Sequence, residues 1–291
     1  YVFPDIPKNV VNLGASFYVL GGGIGAGISG YLSSKLGRRR TLILHDIIGL
    51  LSTLLSVSTN IFYMLIGRIG IGFSAGLSTT VGPTYVNEMC PTEIQGKAGS
   101  AFNIFVTTGI FLGFLFGLGT PSSPPADGGL EWWKITFLTP AIFIIVRLYI
   151  FFKYLIYDTP LYCMKTGNHV ECRRVLSAIY VNPEVEYAKL EEDVKKLNTQ
   201  SEKSGGLQEL LSPAKRKGFI YGIIVALFFT GCGVNLIVLF STYIFQIGIE
   251  DPTDRTPQIF TFLVGFINMG AAYITGLIIE KYGRKLLLLG G

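Results

Sequence analysis

The apolar residues of this 291-residue chain fall into seven long runs that are separated by shorter polar stretches. The runs lie at about 12–34, 41–58, 61–86, 97–119, 133–156, 218–246 and 258–280. Each run approaches the roughly 20 apolar residues that a helix needs to cross a bilayer. The pattern therefore predicts an all-α integral membrane protein with seven transmembrane helices.

Residues 158–215 form the one long polar stretch between these runs. Its first residues, Asp158-Thr159-Pro160, predict a helix start with proline in the first turn. Asn168 and Glu171 have the spacing of a capping box, with Asn in place of Ser or Thr. We therefore expect short amphipathic helices here, lying against the membrane bundle on its cytoplasmic side.

An apolar stripe supports this interpretation of the polar stretch. It consists of Tyr187, Leu190, Val194 and Leu197, on a helix otherwise rich in Glu and Lys. The expected organisation is an N-terminal transmembrane half at 1–157, a linker of amphipathic helices at 158–215, and the beginning of a second transmembrane half at 216–291.

Two stretches of the chain repeat the same pattern. Gly30–Leu44 and Gly276–Leu289 both read Gly, six residues with Lys in the fifth place, Gly-Arg-basic, and then leucines. The matched pair predicts an internal repeat of two membrane hairpins with basic tips on one side of the bilayer. By the positive-inside rule, that side is the cytoplasm or its topological equivalent in an organelle.

Glycines at four-residue spacing indicate close packing between helices. The pairs are Gly21 with Gly25, Gly23 with Gly27, and Gly72 with Gly76. In lipid, such spacings make flat faces on which two helices approach each other closely.

The composition gives no support to an enzyme or a metal site. Charged residues make up 15% of the chain, against about 25% in soluble domains. Four unpaired cysteines and two histidines make no zinc set, and no phosphate-binding glycine loop is present. We expect no cofactor, metal or nucleic-acid partner, because the +5 net charge lies at helix ends and indicates orientation in the membrane.

His45 and Asp46 are the conspicuous polar pair inside an apolar run. As neighbours on a helix they point about 100° apart, so we expect that they do not act on one spot. Two interpretations of Asp46 remain open, a proton site and a polar contact near a helix end.

Several motifs follow one another in a characteristic order. They are the two hairpins, Gly67-Arg68 ahead of Pro83-Thr-Tyr-Val-Asn-Glu-Met-Cys-Pro91, Trp132-Trp133-Lys134 ahead of Pro140, and Asp158-Thr159-Pro160-Leu161-Tyr162. In these motifs the chain resembles the sugar-porter branch of the major facilitator superfamily. The resemblance implies a twelve-helix bundle in two halves, alternating access and a midplane site. Seven of the twelve helices, two to eight, would be present, followed by the beginning of helix nine.

The resemblance also implies where a substrate would be held. Helix five of the family carries two glutamines that face the sugar, and the matching positions here are Ile104 and Phe114. Helix seven normally begins its motif with two glutamines, where this chain has Phe229 and Thr230. The expected cavity lining is Asn235, Asn268, Thr230, Ile104, Phe114 and Phe229, which is too apolar for a hexose.

A cytoplasmic gate is the second site that the resemblance implies. Its residues would be Arg38, Arg39, Glu88, Glu280 and Arg284. We expect Arg38 or Arg39 to pair with Glu88, because their motifs end adjacent spans on one side.

Arg147 lies near the middle of the fifth run, where a lone cation costs at least about 2.5–3.5 kcal/mol. We expect it on the outer surface of the bundle, where it would meet a carboxylate, a lipid phosphate or another membrane subunit.

Two functions are compatible with this sequence. One is a transporter that works by alternating access on a small-molecule solute, for which a hexose is a poor fit. The other is a transport-inactive relative that serves as a structural or interaction subunit of a membrane complex. Either would be a multi-pass protein of the plasma membrane or an organelle inner membrane.

Overall fold

The computed structural model describes residues 8–91, 93–119, 131–201, 213–247 and 255–282, and within these ranges the regular structure is entirely helical. The long helices of the first half are α1 (Lys8–Leu36), α2 (Arg38–Ser56), α3 (Ile61–Met89), α4 (Gln95–Leu118) and α5 (Trp132–Lys153). Three shorter helices follow, α6 (Pro160–Lys165), α7 (His169–Ile179) and α8 (Pro183–Ser201). The last three are α9 (Pro213–Gly231), α10 (Val234–Gln246) and α11 (Thr256–Tyr282).

Four of the described helices are long and apolar enough to cross a membrane. They are α3, α4, α5 and the part of α11 at Thr256–Ile279. The other expected spans also form helices, α1 over the first run and α2 over the second. One run differs from the expectation: 218–246 is two helices, because the chain leaves the helix at Cys232 and Gly233.

Helices α1 and α3 approach each other through glycines. A β-carbon on any of four glycines would overlap the backbone of the facing helix, and these are Gly21, Gly25, Gly72 and Gly76. This contact confirms the expected packing face at four of the six glycines that share the spacing, two on α1 and two on α3. The prediction is wrong for Gly23 and Gly27, since a β-carbon there would meet open space.

Helices α6, α7 and α8 pack on one another around a small apolar cluster. Its buried members are Cys163, Met164, Cys172, Leu176 and Val194. Tyr187 and Leu190 of the expected stripe pack against the cluster, whereas the Leu197 side chain lies outside the described residues. The expected cap of α7 is confirmed, since Asn168 Oδ1 accepts from the backbone N–H of Glu171 at 3.2 Å.

The second half contacts the first through α4 and α11. Phe111 of α4 lies against Phe262 and Phe266 of α11, with ring centroids 5.3 and 6.0 Å apart. The second hairpin, predicted at Gly276–Leu289, lies outside the described residues from position 283 onward.

Candidate functional site

A charge network closes one end of the first half, and we call this end the basic end, defined by Arg38, Arg39, Glu88 and Asp158. Arg38 donates to Glu88 Oε1 from NH2 at 2.9 Å and from Nε at 3.2 Å. The other Glu88 oxygen accepts from the Thr159 hydroxyl at 2.6 Å. Both charged side chains are almost enclosed, with 11% and 13% of their surface exposed. The expected contact between Arg38 and Glu88 is therefore present, while its role as a gate stays a prediction.

Asp158 links the segment after α5 to the beginning of α2. Its carboxylate accepts from the backbone N–H groups of Arg38 and Arg39 at 3.1 and 3.2 Å, and from that of Thr159 at 2.8 Å. Gly37 precedes α2 with φ of 93°, a left-handed conformation that favours glycine. A carboxylate at a helix N-terminus is stabilised by the free N–H groups and by the helix dipole. Sequence reasoning treated Asp158 only as part of a local helix start and missed this contact, which joins positions 120 residues apart.

Arg39 does not pair with Glu88. Its Nε donates to the carbonyl oxygen of Leu155, and its NH2 donates to that of Phe151 at 2.8 Å. These carbonyls belong to the end of α5 and the residues just after it, where a cation is favourable. Of the remaining expected gate residues, Arg284 and the side chain of Glu280 lie outside the described residues.

A second charge cluster joins α2 to α5 inside the bundle. Arg147 Nε donates to the Asp46 carboxylate at 2.8 and 3.1 Å, and Arg147 NH2 also contacts it. The same NH2 lies 2.7 Å from Nδ1 of His45. Asp46 is fully buried, and 38% of the Arg147 side chain is exposed. Of the three partners expected for Arg147, the structure provides the carboxylate.

One expectation about this cluster is wrong and another stays a prediction. Arg147 directs its guanidinium toward α2, but 38% of its side chain is exposed, so its expected place on the outer surface of the bundle stays a prediction. His45 and Asp46 do meet at one spot despite their angular separation on the helix. The reason is that the planar guanidinium presents several donors at once and so reaches both side chains.

The expected cavity residues of α4 face α11. A β-carbon on Gly276 would lie 3.0 Å from Ile104 Cδ1, and one on Gly265 would lie 2.5 Å from Phe114 Cδ2. Ile104 and Phe114 are therefore close to glycines of the neighbouring helix and are half-buried. That they also face a solute stays a prediction.

The helix that carries Asn235 is interrupted. Gly233 adopts φ of 71°, in the left-handed region, and separates α9 from α10. Asn235 is exposed in the first turn of α10, and Asn268 is half-buried on α11. The side chains of Phe229 and Thr230 lie outside the described residues. Sequence reasoning missed the interruption, for which the paired glycines around Cys232 were the available signal.

The fold and the family are defined by comparison with known proteins. The chain has the multi-pass helical architecture of an integral membrane transporter, and the family described as "Sugar (and other) transporter" matches residues 7–291. The chain belongs to this family, which confirms the resemblance drawn from its motifs. Its members are transporters and not enzymes.

Three characterised relatives illustrate the match. The glucose transporter GlcP of Staphylococcus epidermidis is 29% identical over 100% of this chain and 63% of its own length. The arabinose-proton symporter of Bacillus subtilis is 30% identical over 94% of this chain and 58% of its own length. Hexose transporter 1 of Plasmodium falciparum is 30% identical over 94% and 55%. The chain thus spans somewhat more than half the length of these relatives.

Solved structures show the same fold. The proton:xylose symporter XylE bound to 6-bromo-6-deoxy-D-glucose superposes with a TM-score of 0.78 at 20% identity, covering 97% of this chain and 63% of that chain. The inward-open form of XylE from E. coli gives a TM-score of 0.67 at 18% identity, covering 99% and 63%. Both belong to the major facilitator superfamily, so the predicted fold class is confirmed.

Proposed function

We propose that the complete protein moves a small solute across a membrane by alternating access, and that this solute makes fewer hydrogen bonds than a hexose does. The observation that carries the proposal is the interrupted helix, α9 followed by α10. In transporters, helices that break near the middle of the membrane expose backbone groups and so form substrate sites. Asn235 lies two residues beyond the break and supplies a polar side chain beside it.

The side chains around this break favour a less hydroxylated solute. The resemblance to sugar porters matches four of their glutamines to Ile104, Phe114, Phe229 and Thr230 in this chain. A hexose hydroxyl without a partner in a dry site costs about 1–3 kcal/mol. The characterised relatives carry glucose, arabinose and hexoses, so the substitution pattern supports a solute class different from theirs.

The basic end supports the alternating-access part of the proposal. Helices α2, α3 and α5 also pack through the apolar side chains of Leu42, Tyr85 and Phe151. At the basic end itself, Arg38, Glu88 and Thr159 join α2, α3 and the segment after α5 by polar contacts. A contact of this kind can open and close, because water replaces its partners when the helices separate.

The alternative function is a transport-inactive relative that serves as a subunit of a membrane complex, with other membrane proteins as partners. The same four substitutions favour it, since they remove the groups that hold sugar. Exchange of solute across a membrane separates the two functions.

The test is solute counterflow by the full protein in proteoliposomes preloaded with glucose, xylose, inositol, deoxyhexoses or small polyols. We expect exchange of the less hydroxylated compounds and little exchange of glucose. In Gly233→Ala the rate should drop by a factor of about 5 to 30, because a β-carbon in the left-handed region costs about 1–2 kcal/mol. Gly231→Ala is the matched control at the end of α9, where a β-carbon meets open space. Absence of exchange for every solute, in protein that is folded, would favour the inactive subunit.

A further inference from the structure

The cluster of His45, Asp46 and Arg147 has no part in the solute path proposed above. It lies between α2 and α5. Asp46 is eight residues after Arg38 on α2, and because each residue advances a helix by about 1.5 Å, the cluster lies about 12 Å along α2 from the basic end. Polar and ionisable groups inside a membrane bundle are costly and usually functional. The geometry of this cluster indicates which function it has.

The Nδ1 atom of His45 lies between two groups with opposite requirements. It is 2.7 Å from NH2 of Arg147, which can only donate a hydrogen bond. It is also 3.1 Å from Oδ1 of Asp46, which as a carboxylate can only accept one. One ring nitrogen carries either a proton or a lone pair. His45 can therefore bond through Nδ1 to Arg147 or to Asp46, but not to both at once.

Burial makes this choice consequential. Asp46 has no exposed surface, and 8% of the His45 side chain is exposed, so water does not replace a lost partner. Arg147 retains 38% exposure. Its long side chain is the member of the cluster that can withdraw, because it reaches in from α5 while His45 and Asp46 are neighbours on α2.

Other ionisable side chains do not decide the state of His45. On the described parts of α1 they are Tyr18, Tyr31 and Lys35, on α3 they are Tyr63, Arg68, Tyr85 and Glu88, and on α5, besides Arg147, they are Lys134, Tyr149 and Lys153. Their side chains contact groups other than His45. Ser74 of α3 faces the cluster with a neutral hydroxyl, which donates to the His45 carbonyl oxygen at 3.0 Å. The charges that face the imidazole are thus Asp46 on its own helix and Arg147 on α5.

We infer that His45 and Asp46 form a proton-binding site inside the bundle, for which a proton and the Arg147 guanidinium compete. When His45 is neutral, its proton is on Nε2 and its Nδ1 accepts from Arg147. When a proton from water binds Nδ1, the new N–H donates to Asp46. The imidazolium then repels Arg147, because the cluster would otherwise hold a net positive charge in a buried place.

Proton binding is thereby linked to the contact between α2 and α5. The arrangement in the structure, with Arg147 inserted, is favoured when the proton is absent. By linkage, acid favours withdrawal of Arg147, and withdrawal raises proton affinity. Only the consequence for transport rests on the proposed function, namely that proton uptake favours the state in which α2 and α5 separate here.

The direct test is nitrogen NMR of the full protein in nanodiscs, labelled with 15N-histidine. His45→Gln identifies the His45 signals, and His169→Gln identifies those of exposed His169, which serves as the internal reference. Near neutral pH we expect His45 Nε2 to be protonated and Nδ1 to be an acceptor. On acidification, both His45 nitrogens should become protonated as the site binds its proton. A proton on Nδ1 at neutral pH, or no change at His45 while His169 changes, overturns the proposal.

Arg147 variants test the competition. Arg147→Gln removes the competing cation, so His45 should become protonated at a proton concentration about tenfold lower than in the wild type. Arg147→Lys keeps a cation and should stay close to the wild type. Equal proton uptake in the Gln and Lys variants would contradict competition by charge.

The helix contact provides a second readout that requires no transport. Spin labels at L51C and Y149C, on exposed positions of α2 and α5, should move apart on acidification. His45→Gln should abolish this response. A distance between the labels that does not change with pH in the wild type would overturn the link between proton binding and the contact of α2 with α5. Neither readout needs a solute. The proton-site proposal can therefore be overturned while solute counterflow succeeds, and counterflow can be absent while the proton-site proposal holds.

Discussion

At the scale of single residues, a few carboxylates hold together segments that are distant in the sequence. Glu88 binds Arg38 and Thr159, Asp158 caps α2, and Asp46 binds Arg147. Each of these carboxylates meets a positive charge or backbone N–H groups, so its burial is compensated. The polar contacts between helices of the first half therefore depend on very few side chains.

In the Glu88→Gln variant, we expect the helices at the basic end to separate more often than in the wild type. The change removes the charge that faces Arg38, and a hydrogen bond to a charged group contributes about 1.5–3 kcal/mol. A cysteine placed at Val81, which is buried beneath this end, should react with a water-soluble maleimide at least about tenfold faster.

Glu192→Gln is the matched control for this experiment. Glu192 accepts from Lys196 at 2.8 Å on the exposed surface of α8, far from the basic end in the chain. It should leave the reaction rate at V81C unchanged. Equal rates in Glu88→Gln and the wild type would refute the contribution of Glu88 to closure.

Cys163 and Cys172 are expected to be unreactive in the folded protein. Burial, together with nearby Glu171 and Asp158, raises the pKa of the Cys163 thiol to about 12, and burial also raises that of Cys172. The thiolate, which is the reactive form, is therefore scarce at neutral pH. Maleimide should label V181C, at a position 96% exposed, much faster than either native thiol at pH 7.5.

The raised pKa of Cys163 also predicts how the stability of the folded protein depends on pH. The folded pKa of Cys163 lies above its ordinary value, so its contribution to stability is complete below about pH 8 and is lost as the pH rises toward 12. Rapid labelling of Cys163 in folded protein at neutral pH would contradict this account.

At the scale of helices, the contact between α1 and α3 depends on the absence of side chains. Gly76 is buried, and a β-carbon there would overlap the backbone of Gly22. Without a hydrophobic driving force in lipid, such close contacts supply packing between helices.

Gly76→Ala should therefore lower the stability of the protein in detergent. Overpacking of this kind costs about 1–3 kcal/mol, which thermal unfolding measures. Gly27→Ala is the matched control on α1, because its β-carbon would meet open space and alanine favours helix. A loss of stability in Gly27→Ala that equals the loss in Gly76→Ala would contradict this packing.

At the scale of the whole molecule, the sequence was most informative where one physical constraint dominates. Long apolar runs predicted the helices of the first half well, because in lipid the backbone must satisfy its own hydrogen bonds. The break before Asn235 was not predicted, since glycine is common in uninterrupted transmembrane helices too. A left-handed residue such as Gly233 is decided by the surrounding fold and leaves no periodic pattern.

Contacts across the bundle were the other part that the sequence left open. Arg147 and Asp46 are 101 positions apart, and no spacing rule relates them. Energetics required that Arg147 have a partner, but only the packing of α5 on α2 selected which partner. The pairing of Arg38 with Glu88 was predictable because both residues belong to motifs with a known place in the family.

The most direct test of the central claim is equilibrium binding of glucose to the purified full protein, followed by tryptophan fluorescence or calorimetry. We predict no saturable binding in the millimolar range, because the resemblance to sugar porters matches their sugar-binding glutamines to Ile104, Phe114, Phe229 and Thr230 here. The double variant Phe229→Gln with Thr230→Gln should regain measurable glucose binding, while Ile259→Gln, at an exposed position of α11, should not. Saturable millimolar binding of glucose to the wild type would contradict the account.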